Sequence, residues 1–94
     1  MADADADATV RELRERISAN DLALLAAVNR RVELVAELKA YKESVGLPFV
    51  DRTREAQMLA QLQAANRGPL SPAGVEALFR AVLDVVKREV AGRA

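Results

Sequence analysis

Apolar residues recur every three or four positions along three separate stretches of the chain, the spacing of one face of an α-helix. The first stretch runs from Val10 to about Glu43 without a glycine or proline, and Thr9 precedes it as a candidate N-cap. Its apolar positions share one side of the helix: Val10, Leu13, Ile17, Leu24, Val28, Val35 and Leu38, with Leu25 and Val32 beside them. We therefore predict one long first helix that stops before Gly46 and Pro48.

Two shorter helices follow, and each has a recognisable start. Asp51 is placed to cap a second helix that runs to about Ala65, where a Gly-Pro pair soon follows. Ser71 is placed to cap a third helix that has Pro72 at its first position and runs to about Val90. One side of the third helix is apolar: Val75, Leu78, Phe79, Val82, Val86 and Val90. The predicted fold class is therefore all-α, a three-helix chain with a long first helix.

The length of the first helix predicts self-association. At about 1.5 Å per residue it spans roughly 50 Å, whereas a compact chain of this size has a radius of gyration of about 12 Å. The remaining residues are too few to cover an apolar stripe of that length. A second copy of the chain is the economical cover, so we expect a homodimer.

Composition narrows the chemistry. The 94 residues contain no Cys and no His, which excludes thiol nucleophiles, Ser-His triads and Cys/His metal sites, so we expect neither metal nor cofactor. Lys plus Arg and Asp plus Glu are 14 each, so the net charge is zero and nothing favours nucleic-acid binding. We find no signal peptide and no membrane-spanning stretch of roughly 18 apolar residues. We expect a cytoplasmic protein with a disordered tail at 1–8 and a helical domain at 9–94.

Three charged residues fall on inward faces of the predicted helices. Arg31 lies at the centre of the first apolar stripe, Lys42 lies on the same line, and Glu55 lies among the apolar residues of the second helix. A purely structural interpretation pairs Arg31 or Lys42 with Glu55, because an unpaired buried charge costs several kcal/mol. Alternatively, these cations, with Arg14 and Arg54, form a site for a small dianion. Arg14 and Arg31 lie about 25 Å apart along one helix, so a shared ligand would need one of them from another subunit.

The pattern resembles the all-helical (AroQ class) chorismate mutases. Three segments carry the resemblance: LRERISANDLALLAAVNRRVELVAELKAYK at 13–42, VDRTRE at 50–55 and LFRAVL at 78–83. It covers roughly residues 10–90. The resemblance implies an intertwined homodimer of three-helix chains with shared active sites. It also implies the rearrangement of chorismate to prephenate, a unimolecular Claisen rearrangement that needs no His, Cys or metal.

The resemblance also assigns roles to the charged residues. Arg14, from the other subunit, and Arg31 match the arginines that hold the two substrate carboxylates. Lys42 matches the lysine that hydrogen-bonds the ether oxygen of the breaking bond, and Glu55 matches the residue that takes the substrate hydroxyl. Two further residues match supporting positions at the start of the second helix: Asp51 and Arg54. The residues expected to be catalytic are Lys42, Arg31 and Glu55.

Two positions depart from the family. Val86 and Val90 occupy the places where relatives usually carry a Ser near a carboxylate and a Gln or Glu near the ether oxygen. One lost donor at a developing oxyanion costs about 100- to 1000-fold in turnover. We therefore expect a weak mutase when the protein is alone, and we expect Val90→Gln to raise turnover. Some short members of the class are stimulated by the synthase that opens the shikimate pathway, which makes such a synthase a candidate partner.

Two other functions remain open. Isochorismate pyruvate lyase shares the fold and the Arg and Lys anchors but generally lacks the Asp51, Arg54 and Glu55 trio. A non-catalytic helical dimerisation or regulatory module would explain Val86 and Val90 but would leave the inward cations without a purpose. Chorismate and isochorismate, offered separately, distinguish the two enzymes, and a thermal shift with a transition-state mimic distinguishes an enzyme from a module.

Overall fold

Three α-helices make up the part of the chain that the computed structural model describes, residues 7–92. They are α1 (Ala8–Ser44), α2 (Arg52–Ala65) and α3 (Pro72–Ala91). Within these residues no strand is present, which confirms the all-α, three-helix prediction. None of the described helices is long and apolar enough to cross a membrane.

The start of α1 differs from the prediction. The carboxylate of Asp7, and not Thr9, caps the helix: Asp7 Oδ1 accepts hydrogen bonds from Thr9 N at 2.8 Å and Val10 N at 3.2 Å. A carboxylate at this position satisfies two free N–H groups and interacts favourably with the helix dipole. Of the predicted tail at 1–8, residues 1–6 lie outside the described residues, whereas Asp7 and Ala8 form the cap and first residue of α1.

The end of α1 is set by its loop. Gly46 has a φ of +74°, in the left-handed region that favours glycine. This turn lets Leu47 N donate to the carbonyl oxygen of Lys42 at 2.8 Å, so a carbonyl of the last helical turn gains a partner. The helix therefore ends at Ser44, one residue beyond the predicted end at Glu43.

The caps of α2 and α3 agree with the prediction. Asp51 Oδ1 accepts a hydrogen bond from Arg54 N at 3.0 Å at the start of α2. Ser71 Oγ accepts one from Gly74 N at 3.0 Å at the start of α3, where Pro72 takes the first helical position. Both side chains satisfy N–H groups that a helix start leaves without a backbone partner.

The chain forms two compact units that divide within α1, between Arg30 and Arg31. In the first unit, none of residues 8–30 is buried, and only Val10 and Val28 are partly buried. Its exposed apolar side chains lie along α1: Leu13, Ile17, Leu22, Leu24 and Leu25, each between 47% and 69% exposed. The predicted apolar stripe is therefore uncovered within this unit.

The second unit, from Arg31 onward, holds the hydrophobic core. Val32, Val86 and Val90 form a buried cluster, with Val35, Ala36, Phe49 and Val82 packed against it. Helices α2 and α3 pack against each other. Val32, which the sequence placed beside the stripe, is the buried residue of α1, whereas Leu38 at the predicted centre is 48% exposed. The core thus lies to one side of the predicted stripe.

Candidate functional site

A cavity of about 230 Å³ lies within the second unit, and all three helices contribute to its wall. Seven of the described residues that line it are apolar: Val35, Leu38, Phe49, Val50, Met58, Leu83 and Val86. Six are charged: Arg31, Lys42, Asp51, Arg54, Glu55 and Lys87. An apolar wall with a few converging charged groups is typical of a binding site for a small polar ligand.

Arg31 reaches the cavity from α1 and is partly buried. Its Nη2 donates to Met58 Sδ at 3.5 Å, and a thioether sulfur is a weak acceptor. Its Nε is buried and has no hydrogen-bond partner among the described residues. A buried donor without a partner costs about 1–3 kcal/mol. The guanidinium is therefore available to a stronger, anionic acceptor in the cavity.

Lys42 lies on the same side of α1 as Arg31, because a separation of 11 positions corresponds to just over three helical turns. It is partly buried, and its Nζ donates to the backbone carbonyl oxygen of Phe49 at 3.3 Å. This contact holds the ammonium beside the loop that leads to α2. Since an ammonium has three donors, Lys42 can keep this hydrogen bond and still donate to a ligand.

The first turn of α2 brings three of the predicted residues to the cavity. Asp51 uses its carboxylate as the helix cap, and Arg54, whose backbone N–H it accepts, is exposed at the cavity edge. Glu55 is more buried than Asp51 and Arg54, with 27% of its side chain exposed. The cap therefore fixes the direction in which α2 presents Arg54 and Glu55.

Glu55 pairs with Lys87 of α3, a residue that the sequence analysis did not single out. The purely structural interpretation predicted an ion pair of Glu55 with Arg31 or Lys42. Among the described side chains, Glu55 pairs with Lys87 instead. Lys87 follows Leu83 by four residues, so both lie on one flank of the valine face of α3. That spacing was the available signal, but it does not reveal which residue of α2 lies opposite.

Val86 and Val90 lie in different surroundings. Val86 is 2% exposed and forms part of the cavity wall. Val90 is 1% exposed and belongs to the core with Val32; it is not among the residues that line the cavity. The cavity therefore meets an apolar surface at Val86, where a hydrogen-bond donor was expected from the family.

Arg14 lies in the first unit, in the exposed part of α1, and is not among the residues that line the cavity. Six of the eight predicted site residues thus border one cavity, namely Arg31, Lys42, Asp51, Arg54, Glu55 and Val86. The other two, Arg14 and Val90, do not.

The charges around the cavity are unbalanced. Among its described lining residues, four are cationic and two are anionic, which leaves a surplus of two positive charges. Within the described residues, no group of three or more His, Cys, Asp or Glu side chains is placed to hold a metal ion. A cationic surplus beside apolar walls is suited to a small molecule that carries two negative charges.

A protein-family model described as chorismate mutase type II matches residues 13–90 of this chain. Among curated proteins, the T-protein of Enterobacter agglomerans is 39% identical over 72 residues. That match covers 76% of this chain but 19% of the T-protein, so the chain spans about a fifth of that relative's length.

Two solved structures of chorismate mutase from Thermus thermophilus are similar to this fold. Form II superposes with a TM-score of 0.85 at 27% identity, covering 90% of this chain and 97% of that one. Form I gives a TM-score of 0.81 at 29% identity, covering 83% of this chain and 98% of that one. Both likenesses extend over nearly the full length of the solved chains.

Proposed function

Since this chain belongs to the chorismate mutase type II family, we propose that it catalyses the rearrangement of chorismate to prephenate in the cavity of its second unit. The family match covers residues 13–90 and so includes every residue that lines the cavity. The observation that carries the proposal is the surplus of two positive charges around this cavity, to which Arg31 contributes a guanidinium whose buried Nε has no partner among the described residues. Chorismate carries two carboxylates, which match that surplus.

The reaction makes limited demands on the protein. In a Claisen rearrangement the ether C–O bond breaks as a new C–C bond forms within the same molecule, so no proton donor, covalent intermediate or metal is needed. The enzyme must select the conformer in which the enolpyruvyl group lies over the ring. It must also place cations where negative charge grows on the ether oxygen. Both tasks suit a site built from arginine, lysine and carboxylate groups.

Arg31 holds one substrate carboxylate in this proposal. Its buried Nε lacks an acceptor among the described residues, and its Nη2 reaches only the sulfur of Met58. A carboxylate can accept from a guanidinium through both oxygens, which fixes the orientation of the ligand as well as its charge. A bound carboxylate would give the guanidinium a stronger acceptor than the sulfur of Met58.

Lys42 donates to the ether oxygen. Its hydrogen bond to the carbonyl of Phe49 supports this role, because it positions the ammonium before the substrate arrives. A compact ammonium stabilises charge that develops on a single oxygen atom better than a planar guanidinium does. The role needs one of the two remaining N–H donors of Lys42.

Glu55 accepts the hydrogen bond of the substrate hydroxyl, and Asp51 and Arg54 support it from the same helical turn. The support for this assignment is that all three side chains border the cavity. Asp51 additionally fixes the start of α2, so its replacement would disturb the placement of the other two.

We expect turnover to be low. Val86 presents an apolar surface where a polar group could contact the substrate, and Val90 is buried in the core beside Val32. Loss of one donor at the ether oxygen costs about 100- to 1000-fold in turnover. A low intrinsic rate leaves room for activation by another protein, and the shikimate-pathway synthase proposed from the family resemblance remains the candidate.

A homodimer with shared active sites completes the proposal. The first unit exposes an apolar face on α1, in which Leu13, Ile17 and Leu24 are each about half exposed. Large exposed apolar surfaces mark protein interfaces. Covering this face with a second copy of the chain would let Arg14 of that copy hold the second carboxylate. The two intertwined chains would then share two such sites.

The test is the loss of chorismate absorbance with the purified full chain. We expect slow but saturable turnover by the wild type, and a loss of at least about 100-fold in Arg31→Ala, because a charged contact to the reacting molecule is removed. Arg80→Ala is the matched control, since Arg80 is an exposed α3 arginine paired with Glu76 outside the cavity. It should behave like the wild type.

Three results would contradict the mutase. These are a wild type without turnover, an Arg31→Ala variant as active as Arg80→Ala, and release of pyruvate and salicylate from isochorismate only. The last would reassign the protein as a lyase. Melting curves of both variants establish that they remain folded.

A further inference from the structure

Lys87 lies on the cavity wall and has no role in the mechanism proposed above. It lines the cavity from α3 and pairs with Glu55 of α2, so the pair joins the two helices at the cavity wall. The side chains are 37% and 27% exposed, respectively, so the pair is neither fully solvated nor sealed. We propose that Lys87 is a positioning residue that enables a dianionic ligand to bind beside Glu55.

Charge is the first reason why Lys87 matters for a dianionic ligand. A substrate with two carboxylates must enter a cavity that already contains the carboxylates of Asp51 and Glu55. Like charges within a few Å repel strongly where water is partly excluded. Lys87 places a positive charge directly against Glu55. Without Lys87, the surplus among the described lining residues falls from two positive charges to one.

The geometry of the ion pair is the second reason. Glu55 extends from the first turn of α2, and its proposed role requires a carboxylate oxygen that faces the substrate hydroxyl. In the structure Lys87 contacts Oε1 of Glu55. Holding one oxygen in an ion pair limits the rotation of the carboxylate and leaves the other oxygen as an acceptor. Lys87 therefore acts through Glu55, and not by touching the reacting atoms.

The inference rests on the proposed function for the identity of the ligand. Its kinetic consequence follows from the type of interaction. Repulsion between Glu55 and a dianion is present in both the bound substrate and the transition state, so removing Lys87 weakens binding of both about equally. Such a change raises KM and leaves kcat nearly unchanged. A general loss of fold would instead lower the active fraction and hence the apparent kcat.

The experiment is a double-mutant cycle on Lys87 and Glu55 in the full chain. The readouts are steady-state kinetics with chorismate and calorimetric binding of a bicyclic dicarboxylate that mimics the transition state. We expect Lys87→Met to raise KM and the Kd of the mimic about tenfold, which corresponds to about 1.4 kcal/mol. In the Glu55→Gln background the same substitution should change them by less than about threefold, since the carboxylate is gone. Lys87→Arg should restore most of the affinity.

Lys39→Met is the matched control. Lys39 is also partly buried, at 28% exposed, and pairs with Glu43 at 3.1 Å, but it does not line the cavity. The Lys39→Met variant should have KM and Kd values for the mimic within about twofold of the wild type, the range expected for an ion pair remote from the ligand. Melting curves for all variants separate effects on folding from effects on binding.

The outcomes separate this inference from the proposed function. An active wild type with equal KM in Lys87→Met and Lys39→Met would overturn the role of Lys87 alone. The role of Lys87 would also be overturned if Lys87→Met raised KM and the Kd of the mimic equally with Glu55 intact and in the Glu55→Gln background, because Lys87 would then not act through Glu55. A wild type that binds the mimic without turning over chorismate would overturn the mutase, and the Kd values would still decide the role of Lys87. A wild type that neither binds nor turns over would overturn both.

Discussion

The two parts of α1 differ in what they do with their side chains. Before Arg31, no residue of the helix in the described range is buried, and leucines and an isoleucine are about half exposed. From Arg31 onward, the same helix supplies Val32 to the core and Arg31 and Lys42 to the cavity. The first part exposes an apolar face of the kind that marks protein interfaces, and the second borders the cavity. We therefore expect the first part of α1 to serve association and the second to serve ligand binding.

The largest expected effect comes from disrupting the exposed face of the first part. Leu13, Ile17 and Leu24 lie within about 40° of one another around the helix. We expect Ile17→Asp with Leu24→Asp to convert a dimer to a monomer and to lower turnover by more than about a thousandfold. A monomeric variant would lose the substrate contact proposed for Arg14 of the second copy, and its apolar face would be exposed to water. Light scattering and chorismate kinetics measure the two effects.

Leu22→Asp is the control for this experiment. Leu22 is 69% exposed, but it lies about 140° around the helix from Ile17 and so outside the apolar stripe. The Leu22→Asp variant should remain dimeric and active. A double variant that stays dimeric, or a monomer with full activity, would contradict the assignment of this face as the interface.

The second prediction concerns whether the two parts of α1 meet in one site across subunits. We expect Arg14→Ala and Arg31→Ala each to lose about 100-fold or more in activity. Co-expressed, they should regain about a quarter of the wild-type activity, because half of the dimers are mixed and half of the sites in a mixed dimer are unaltered. Activity is measured on the purified mixture.

Complementation fails if both arginines act within one chain or if Arg14 does not reach the substrate. The mixture would then show only the average activity of the two variants. Co-expressing Arg14→Ala with the control Arg80→Ala tests the statistics. About half of the wild-type activity is expected there, because each site takes one Arg14 and half of the subunits supply it intact.

The smallest expected effect comes from restoring polar groups on α3. Val86 borders the cavity at the position matched to a Ser near a substrate carboxylate, so we expect Val86→Ser to raise turnover at low chorismate concentration by about tenfold, the effect of one hydrogen bond to a charged group. Val90 belongs to the core. A Gln amide buried there without hydrogen-bond partners would lower the stability of the fold by about 1–3 kcal/mol. Val90→Gln should therefore raise turnover less than Val86→Ser and lower the melting temperature. Equal or lower turnover in Val86→Ser would count against a substrate contact at this wall.

Much of this architecture could be predicted from local sequence. The caps Asp51 and Ser71 were identifiable because Asp and Ser are favoured N-cap residues and each directly precedes a helical stretch. Arg31 and Lys42 were placed together because 11 residues return a helix to nearly the same side. The family suggested by these residues is confirmed by the match over residues 13–90. The homodimer and the roles of the individual site residues remain predictions.

Other features depend on tertiary contacts that periodicity does not encode. Lys87 was missed because its partner Glu55 lies on a different helix, and only the packing of α2 against α3 brings them together. Val32, rather than Leu38, is the buried residue of α1, because the core lies to one side of the stripe. Asp7 was missed as a cap because it ends an alternating Asp-Ala segment that was predicted to be a tail.

The hydrogen bond from Lys42 to the carbonyl of Phe49 has an evolutionary consequence. The ammonium fastens the connection between α1 and α2 while also serving the proposed chemistry. Replacing Lys42 with an uncharged residue would therefore remove both the hydrogen bond to the loop and the positive charge in the cavity. If Lys42 has the proposed role, loop stability and activity are coupled at this residue, and we expect few substitutions there to preserve both.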